Sequence, residues 1–349
     1  MTPNLTVQDV GEQGLLKIVQ GFCPSEVIGD DAALLTPDPH QSLVVTTDML
    51  VDGVHFSDRT TSAQDIGWRG VAANLSDLAA MGASGLGITV ALGVTGQTPV
   101  NWVEQLYQGM IYCLQPYNIP IVGGDICRAE VRSLSITALG QVKPTRALKR
   151  STARPGYDII ATGVHGDSRG GLELLLHPEQ GNLLSPTERF SLIQAHQRPQ
   201  PRLDVIEVLQ ELLIDYPNVA IAGMDSSDGL ADAILQICHA SQVGATIIQQ
   251  QIPISEALRN LAIPEQALNW ALYGGEDFEL ILCVPPLLTQ PLLEKFNNAV
   301  VVGHTTVEQS MVLVDADDPQ LQKFLSLEQG FQHFKMDSGD GEFVIHLLL

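Results

Sequence analysis

The stretch VAIAGMDSSDGLADAILQICHA, residues 219–240, decides the fold class. An apolar run ends at Asp225, two serines and Asp228 follow, and Gly229 opens a second apolar segment that reads as a helix. Where a strand hands over to a helix in an open α/β sheet, ligands bind at the edge between them. The charge raises a question. The chain has 40 acidic and 18 basic residues, a formal net charge of −22. It nevertheless puts Asp225 and Asp228 where an apolar strand meets an apolar helix. Asp232, one helical turn further on, reads as a solvated or supporting residue.

The same pattern recurs on either side of this stretch. VIGDDAALL supplies Asp30 and Asp31, VVTTDMLVDGVHF supplies Asp48 and Asp52, and NLSDLAAMGA supplies Asp77. IVGGDICR supplies Asp125, and LYGGEDFELIL supplies Glu276 and Asp277. Taken singly, each has an ordinary explanation. An Asp or Ser ahead of a helix is a cap, and GGD is a turn. If several converged, they would repel one another unless cations intervened. With only six lysines in the chain, the remaining cations are hard metal ions. Oxygen donors without a His or Cys cluster select Mg²⁺ or Ca²⁺ over zinc, and EF-hand spacing is absent. Mg²⁺ binds through a few carboxylates together with substrate phosphates, which points to a phosphate-bearing ligand. There is no GxxxxGK[ST] loop and no protein-kinase signature, so a nucleotide site here would be metal-based. Carboxylates with purely structural roles are the competing reading.

A length of 349 residues with 45% hydrophobic content suits two domains or one large one. SLVVTTD, GLGITVALGV, IPIVGGD and SLSITALGQV read as strands. AQDIGWRGVAANLSDLAAMGA and PVNWVEQLYQGMIYCLQPY read as helices. The basic, turn-prone KPTRALKRSTARPG marks a connection. After it come a strand (YDIIATGV), a helix (SRGGLELLL), a polar Pro-rich segment over 177–205 and the strands NVAIAGMD, ATIIQQQI and FELILCV. Alternating strands and helices give α/β to α+β. The apolar face of GITVAL (87–92) needs a cover. No run of 18 apolar residues is present, so no membrane span is expected, and the N-terminal stretch lacks the basic start and apolar core of a signal peptide. Five scattered cysteines without CxxC spacing read as reduced thiols, so a cytoplasmic location is expected. The acidic surface excludes nucleic acid and anionic membrane as expected partners. Arg146, Lys149, Arg150 and Arg154 form either a solvated linker face or a segment with one arginine turned to a phosphate.

In this order, GDDAAL, TTDMLVDGVHF, NLSDLAAMGA, VGGD, DSSDGL and GGEDFEL resemble the thiamine-monophosphate kinase family. That family shares a superfamily with aminoimidazole ribonucleotide synthetase and selenophosphate synthetase. NLSDLAAMGA and GGE mark the superfamily; TTDMLVDGVHF and DSSDGL point to the kinase. The resemblance implies a two-domain aminoimidazole-ribonucleotide-synthetase-like fold. Residues 1–143 would form a metal- and nucleotide-binding, dimerising domain and 154–335 a C-terminal α/β domain. Residues 144–153 would be the basic connection, and 336–349 an unassigned tail. The N-terminal sheets of two subunits would form a shared barrel in a homodimer, the second subunit covering the apolar face of GITVAL.

The resemblance also implies ATP-dependent phosphorylation of thiamine monophosphate to thiamine diphosphate. Asp31, Thr46, Thr47, Asp48, Asp77, Asp125, Asp225 and Asp228 would hold several Mg²⁺ ions. Tyr107, Gly124, Asp125, Arg150 and Ser227 would contact ATP; His55, Glu276 and Phe331 would contact the thiamine phosphate. Position 331 is commonly Trp or Tyr in such proteins, and Phe keeps the stacking face without the polar atom. The acceptor phosphate is already ionised at neutral pH, so no general base is expected. Two other classes stay open: a sister enzyme that uses ATP to activate an amide-like oxygen, and a catalytically silent, metal-stabilised binding protein.

Overall fold

The computed structural model describes residues 5–25, 27–318 and 320–330; Phe331 lies outside them. The chain divides into two units. One is drawn from residues 1–78 and 84–141, the other from 79–83 and 142–335. The basic segment 144–153 groups with the second unit. Among the described residues, no helix is long and apolar enough to cross a membrane.

The first unit runs α1 (Val7–Gln20), β1 (Ser42–Val51), α2 (Ala63–Ala80), β2 (Ser84–Val94), α3 (Val100–Leu114), β3 (Ile121–Arg128) and β4 (Ser133–Val142). Its sheet has the order β1-β4-β2-β3, so β3 lies at an edge. β2 runs antiparallel to β4 and parallel to β3. On β4, Leu134, Ile136 and Ala138 are buried on alternate positions, the period of a sheet covered on one face. On α2, Val71, Ala72, Leu75 and Leu78 are buried, a helical stripe. The expectation for GITVAL needs correcting. Ile88, Val90 and Leu92 are at most 2% exposed within the chain itself. The exposed apolar residues of this sheet are on β1: Leu43, Val45 and Met49, each more than half exposed.

The second unit runs β5 (Asp158–Ala161), α4 (Asp167–Leu176), α5 (Pro186–Gln197), α6 (Leu203–Leu212), β6 (Ala222–Asp225) and α7 (Leu230–Ser241). It continues with β7 (Gly244–Ile248), α8 (Glu256–Leu261), α9 (Pro264–Tyr273), β8 (Leu280–Val284), α10 (Pro286–Lys295), β9 (Val300–Thr306), β10 (Met311–Val314) and β11 (Gln322–Phe324). The sheet order is β11-β10-β7-β9-β5-β8-β6. Only β7–β10 is parallel; the other pairs are antiparallel. Helix α7 packs Ile234, Ile237 and Cys238 against Ile159 of β5, Met224 of β6 and Cys283 of β8. The alternate residues Ile160, Leu280 and Leu282 are buried as well. Burial on both faces explains why these strands read as continuous apolar runs rather than alternating ones. The FELILCV strand starts only at Leu280, because Phe278 sits at φ 52, outside the extended region.

Candidate active site

In the first unit, the end of α1, the loop over 27–35, α3 and the edge strand β3 enclose a cavity of about 570 Å³. Four expected residues line it: Asp31, Tyr107, Gly124 and Asp125. The wall is divided by chemistry. Leu16, Val19, Leu35 and Ile121 make an apolar part, and Asp30, Asp31 and Asp125 make an acidic part. Tyr107 is only 3% exposed, and burial raises its hydroxyl pKa. Its ring lies 5.5 Å from that of Phe22. Gly124 is required by close approach: a Cβ there would stand 2.0 Å from the carbonyl oxygen of Val90 on β2. The sequence reading missed the α1 wall; the apolar positions Leu15, Leu16 and Val19, just ahead of the GDD motif, were the available signal.

Strand alternation sorts the TTD motif. Thr46 and Asp48 share one face of β1, and Thr47 lies on the other. The Thr46 hydroxyl donates to the Asp77 carboxylate on α2. Burial, and then the negative charge of Asp77, push the Asp48 carboxyl up to about 6. The Thr47 hydroxyl donates to the Ile136 carbonyl at 2.9 Å and accepts from Thr137 at 3.2 Å. Any contribution of Thr47 beside Asp48 would therefore come from its main-chain carbonyl. In the loop after β1, His55 Nδ1 accepts from the Val51 N–H at 3.1 Å. The neutral ring then carries its proton on Nε2, as a donor.

In the second unit, neighbouring strands β6 and β8 bring DSSDGL and GGEDFEL together. The Ser226 N–H donates to the Glu279 carbonyl at 2.8 Å, and the Ser226 hydroxyl accepts from the Glu279 N–H at 3.2 Å. The Glu276 N–H donates to the Ser227 carbonyl at 2.7 Å, and the Ser227 hydroxyl donates to Asp225 at 3.4 Å. Asp225 is buried and Asp228 exposed. Glu276 is held at φ 58 and Phe278 at φ 52, left-handed conformations that L-residues with side chains pay strain to adopt. The Glu276 carboxylate lies 3.8 Å from Nδ1 of the buried His196.

The neighbouring acids are structural. Asp277 accepts from the N–H groups of Gly166 and Ser168 at 2.7 and 3.0 Å and so caps α4. Its burial pushes the carboxyl up to about 8, against the lowering effect of those two bonds. Glu279 pairs with Arg202 at 2.5 Å beneath the DSSDG turn. Arg150 donates to Gln236 at 2.5 Å. Among the described residues, no three His, Cys, Asp or Glu side chains come together closely enough to hold a metal ion.

Residues 29–142 match the model of the AIR synthase related protein N-terminal domain, and residues 154–316 that of its C-terminal domain. A thiamine-monophosphate kinase of Synechococcus elongatus is 48% identical over 94% of this chain and 98% of its own. The chain belongs to the thiamine-monophosphate kinase family. A crystal structure of thiamine-monophosphate kinase from Stenotrophomonas maltophilia is 35% identical, with a TM-score of 0.73 over 83% of this chain and 90% of that one. A structure of AaThiL complexed with AMPPCP and TMP is 30% identical, with a TM-score of 0.70 over 89% of this chain and 96% of that one. As a member of this family, the chain has a two-domain AIR synthase-like fold with mixed α/β sheets.

Proposed function

We infer that this chain transfers the γ-phosphoryl group of ATP to the phosphate of thiamine monophosphate, forming thiamine diphosphate. The observation that carries this reading is the divided cavity of the first unit. An apolar pocket suits a nucleobase, and an acidic end suits metal-bound phosphates, in a chain 48% identical to a thiamine-monophosphate kinase. A structure in the same family was obtained with AMPPCP, an ATP analogue, together with TMP.

The donor set fits Mg²⁺. It consists of carboxylate and hydroxyl oxygens, and burial together with the negative charge of Asp77 raises Asp48; a divalent cation relieves both. Asp31, Thr46, Thr47, Asp48, Asp77, Asp125, Asp225 and Asp228 would supply ligands. Mg²⁺ keeps only a few protein ligands and completes its shell with water and phosphate oxygens, so a protein-only cluster is not required. When bound, it would neutralise phosphate charge as two polyanions approach.

The chain's own groups then bind and orient. Tyr107 and Gly124 would shape the nucleotide pocket, with Asp125 at its acidic end, and Arg150 and Ser227 would be further ATP contacts. His55 offers its Nε2–H to an acceptor on the thiamine phosphate. Glu276 offers a carboxylate to the permanently cationic thiazolium. No residue needs to take a proton, since the attacking phosphate oxygen is already ionised. Catalysis is therefore positioning and charge stabilisation. A homodimer formed through the exposed β1 face and a cytoplasmic location, in keeping with five unpaired thiols, complete the proposal.

Incubation of the purified chain with ATP, Mg²⁺ and thiamine monophosphate tests it. Thiamine diphosphate should form with ADP in equal amounts. ATP turnover only with a different acceptor, or binding without turnover, would overturn the assignment.

A further inference from the structure

We propose that Gln236, with Asp232 behind it, is a positioning residue that presents Arg150 to the nucleotide phosphates; this rests on the reading of Arg150 as an ATP contact given above. Arg150 opens a short 3-10 turn, Arg150–Thr152. The backbone of this turn is pinned. The Ser241 hydroxyl, at the end of α7, donates to the Arg150 carbonyl at 2.6 Å and accepts from the Ala153 N–H at 2.9 Å. The Thr152 hydroxyl donates to the Ile221 carbonyl at 2.9 Å, just ahead of β6.

Side chains of α7 then orient the guanidinium. Arg150 Nη1 donates to Gln236 Oε1 at 2.5 Å, and Gln236 Nε2 donates to Asp232 Oδ2 at 2.7 Å. An amide can present either its oxygen or its NH₂. A guanidinium only donates and a carboxylate only accepts. Asp232 therefore captures the NH₂ end, and the oxygen is left aimed at Arg150. Gln236 uses one of five guanidinium N–H donors, and the rest of the fork suits a phosphate. Helix α7 begins at Leu230, directly after the turn that carries Asp225 and Asp228. One helix thus registers Arg150 against that turn. An exposed arginine without such a partner would spread over many rotamers and pay more entropy on binding. Of the two readings of Asp232, solvated or supporting, this takes the supporting one.

The test is steady-state kinetics of the full chain, with ATP and thiamine monophosphate titrated separately and Tm measured alongside. Gln236→Leu should raise KM for ATP roughly fivefold, the scale of one ordinary hydrogen bond, and leave KM for thiamine monophosphate within about twofold. The polarity-reversed pair Asp232→Asn with Gln236→Glu keeps an acceptor facing Arg150, because the amide introduced at position 232 now donates to the carboxylate introduced at position 236. It should return KM for ATP to within about twofold of the parent. The proposal is overturned if that pair behaves like Gln236→Leu, or if Gln236→Leu moves both KM values equally or only Tm. Arg150→Ala separates the two levels. If it raises KM for ATP while Gln236→Leu does not, the positioning role fails and the ATP contact stands. If Arg150→Ala leaves KM for ATP unchanged, the ATP contact itself fails and the positioning role with it.

Discussion

Gly123 and Gly124 are adjacent, both line the cavity, and in sequence they look interchangeable, yet they should respond very differently to a methyl group. A Cβ on Gly124 would stand 2.0 Å from the Val90 carbonyl oxygen and 3.0 Å from its carbonyl carbon. A Cβ on Gly123 would meet nothing nearer than the Thr89 methyl at 4.0 Å, an ordinary contact. Relieving the first clash requires a backbone shift of about 1 Å, and overpacking of this kind costs about 3 kcal/mol. In a unit of this size that lowers Tm by about 10 °C. Because β3 is an edge strand paired only with β2, the relief comes from peeling β3 outward. Asp125 is on β3 and moves with it. Gly124→Ala should therefore weaken ATP binding roughly tenfold or more, beyond the loss of stability. Gly123→Ala should hold Tm within about 2 °C. Thermal unfolding and ATP titration by calorimetry, in the presence of Mg²⁺, measure both quantities. Equal behaviour of the two variants, or a Gly124→Ala protein as stable and as tight-binding as the parent, would refute this account of the strand pair.

Three further outcomes are expected. Asp77→Asn, which removes the charge beside Asp48 while α2 stays intact, should lower kcat at least roughly a hundredfold with an unchanged circular dichroism spectrum; a folded, fully active variant rules out the metal role. Acid should destabilise the second unit through His165, whose ring is fully buried and whose pKa is depressed to about 3 by burial. As pH falls below the unfolded value of about 6.5, the unfolded chain takes up a proton that the folded chain refuses, so about 2 kcal/mol is lost by pH 5. Urea unfolding at pH 7 and pH 5 measures this loss, and His165→Phe should flatten it; identical slopes for parent and variant would contradict it. Light scattering should give twice the 37.6 kDa chain mass, about 75 kDa, and Val45→Lys on the exposed face of β1 should yield the monomer; a dimer unaffected by that change places the interface elsewhere.

Much of this molecule could be read from local pattern alone. The strand-to-helix joint at Asp225, the helix over 63–80 that carries Asp77 and the alternation of β4 follow from hydrophobic period, which depends only on neighbours in the chain. The run of motifs from GDDAAL to GGEDFEL identified the family for the same reason, since each motif is a contiguous turn. The polar, Pro-rich composition of 177–205 suggests loops and short helices, and the segment holds α5, a 12-residue helix with a Ser185 capping box. Strands β9 to β11 went unread; β9 pairs with β5 across more than 130 residues of sequence, and no local signal announces such a partner. Period two said that Thr46 and Asp48 oppose Thr47, but not which side faces α2. Tertiary structure decided that by setting Asp77 against Thr46. The same holds for the acids of GGED. In sequence, Glu276 and Asp277 are a doublet. In the fold, Asp277 is consumed by the N–H groups of Gly166 and Ser168 at the start of α4, more than 100 residues earlier, while Glu276, at φ 58, sets its carboxylate 3.8 Å from Nδ1 of His196. A carboxylate's role is set by the donors and charges within a few ångströms of it, and here those come from distant parts of the chain.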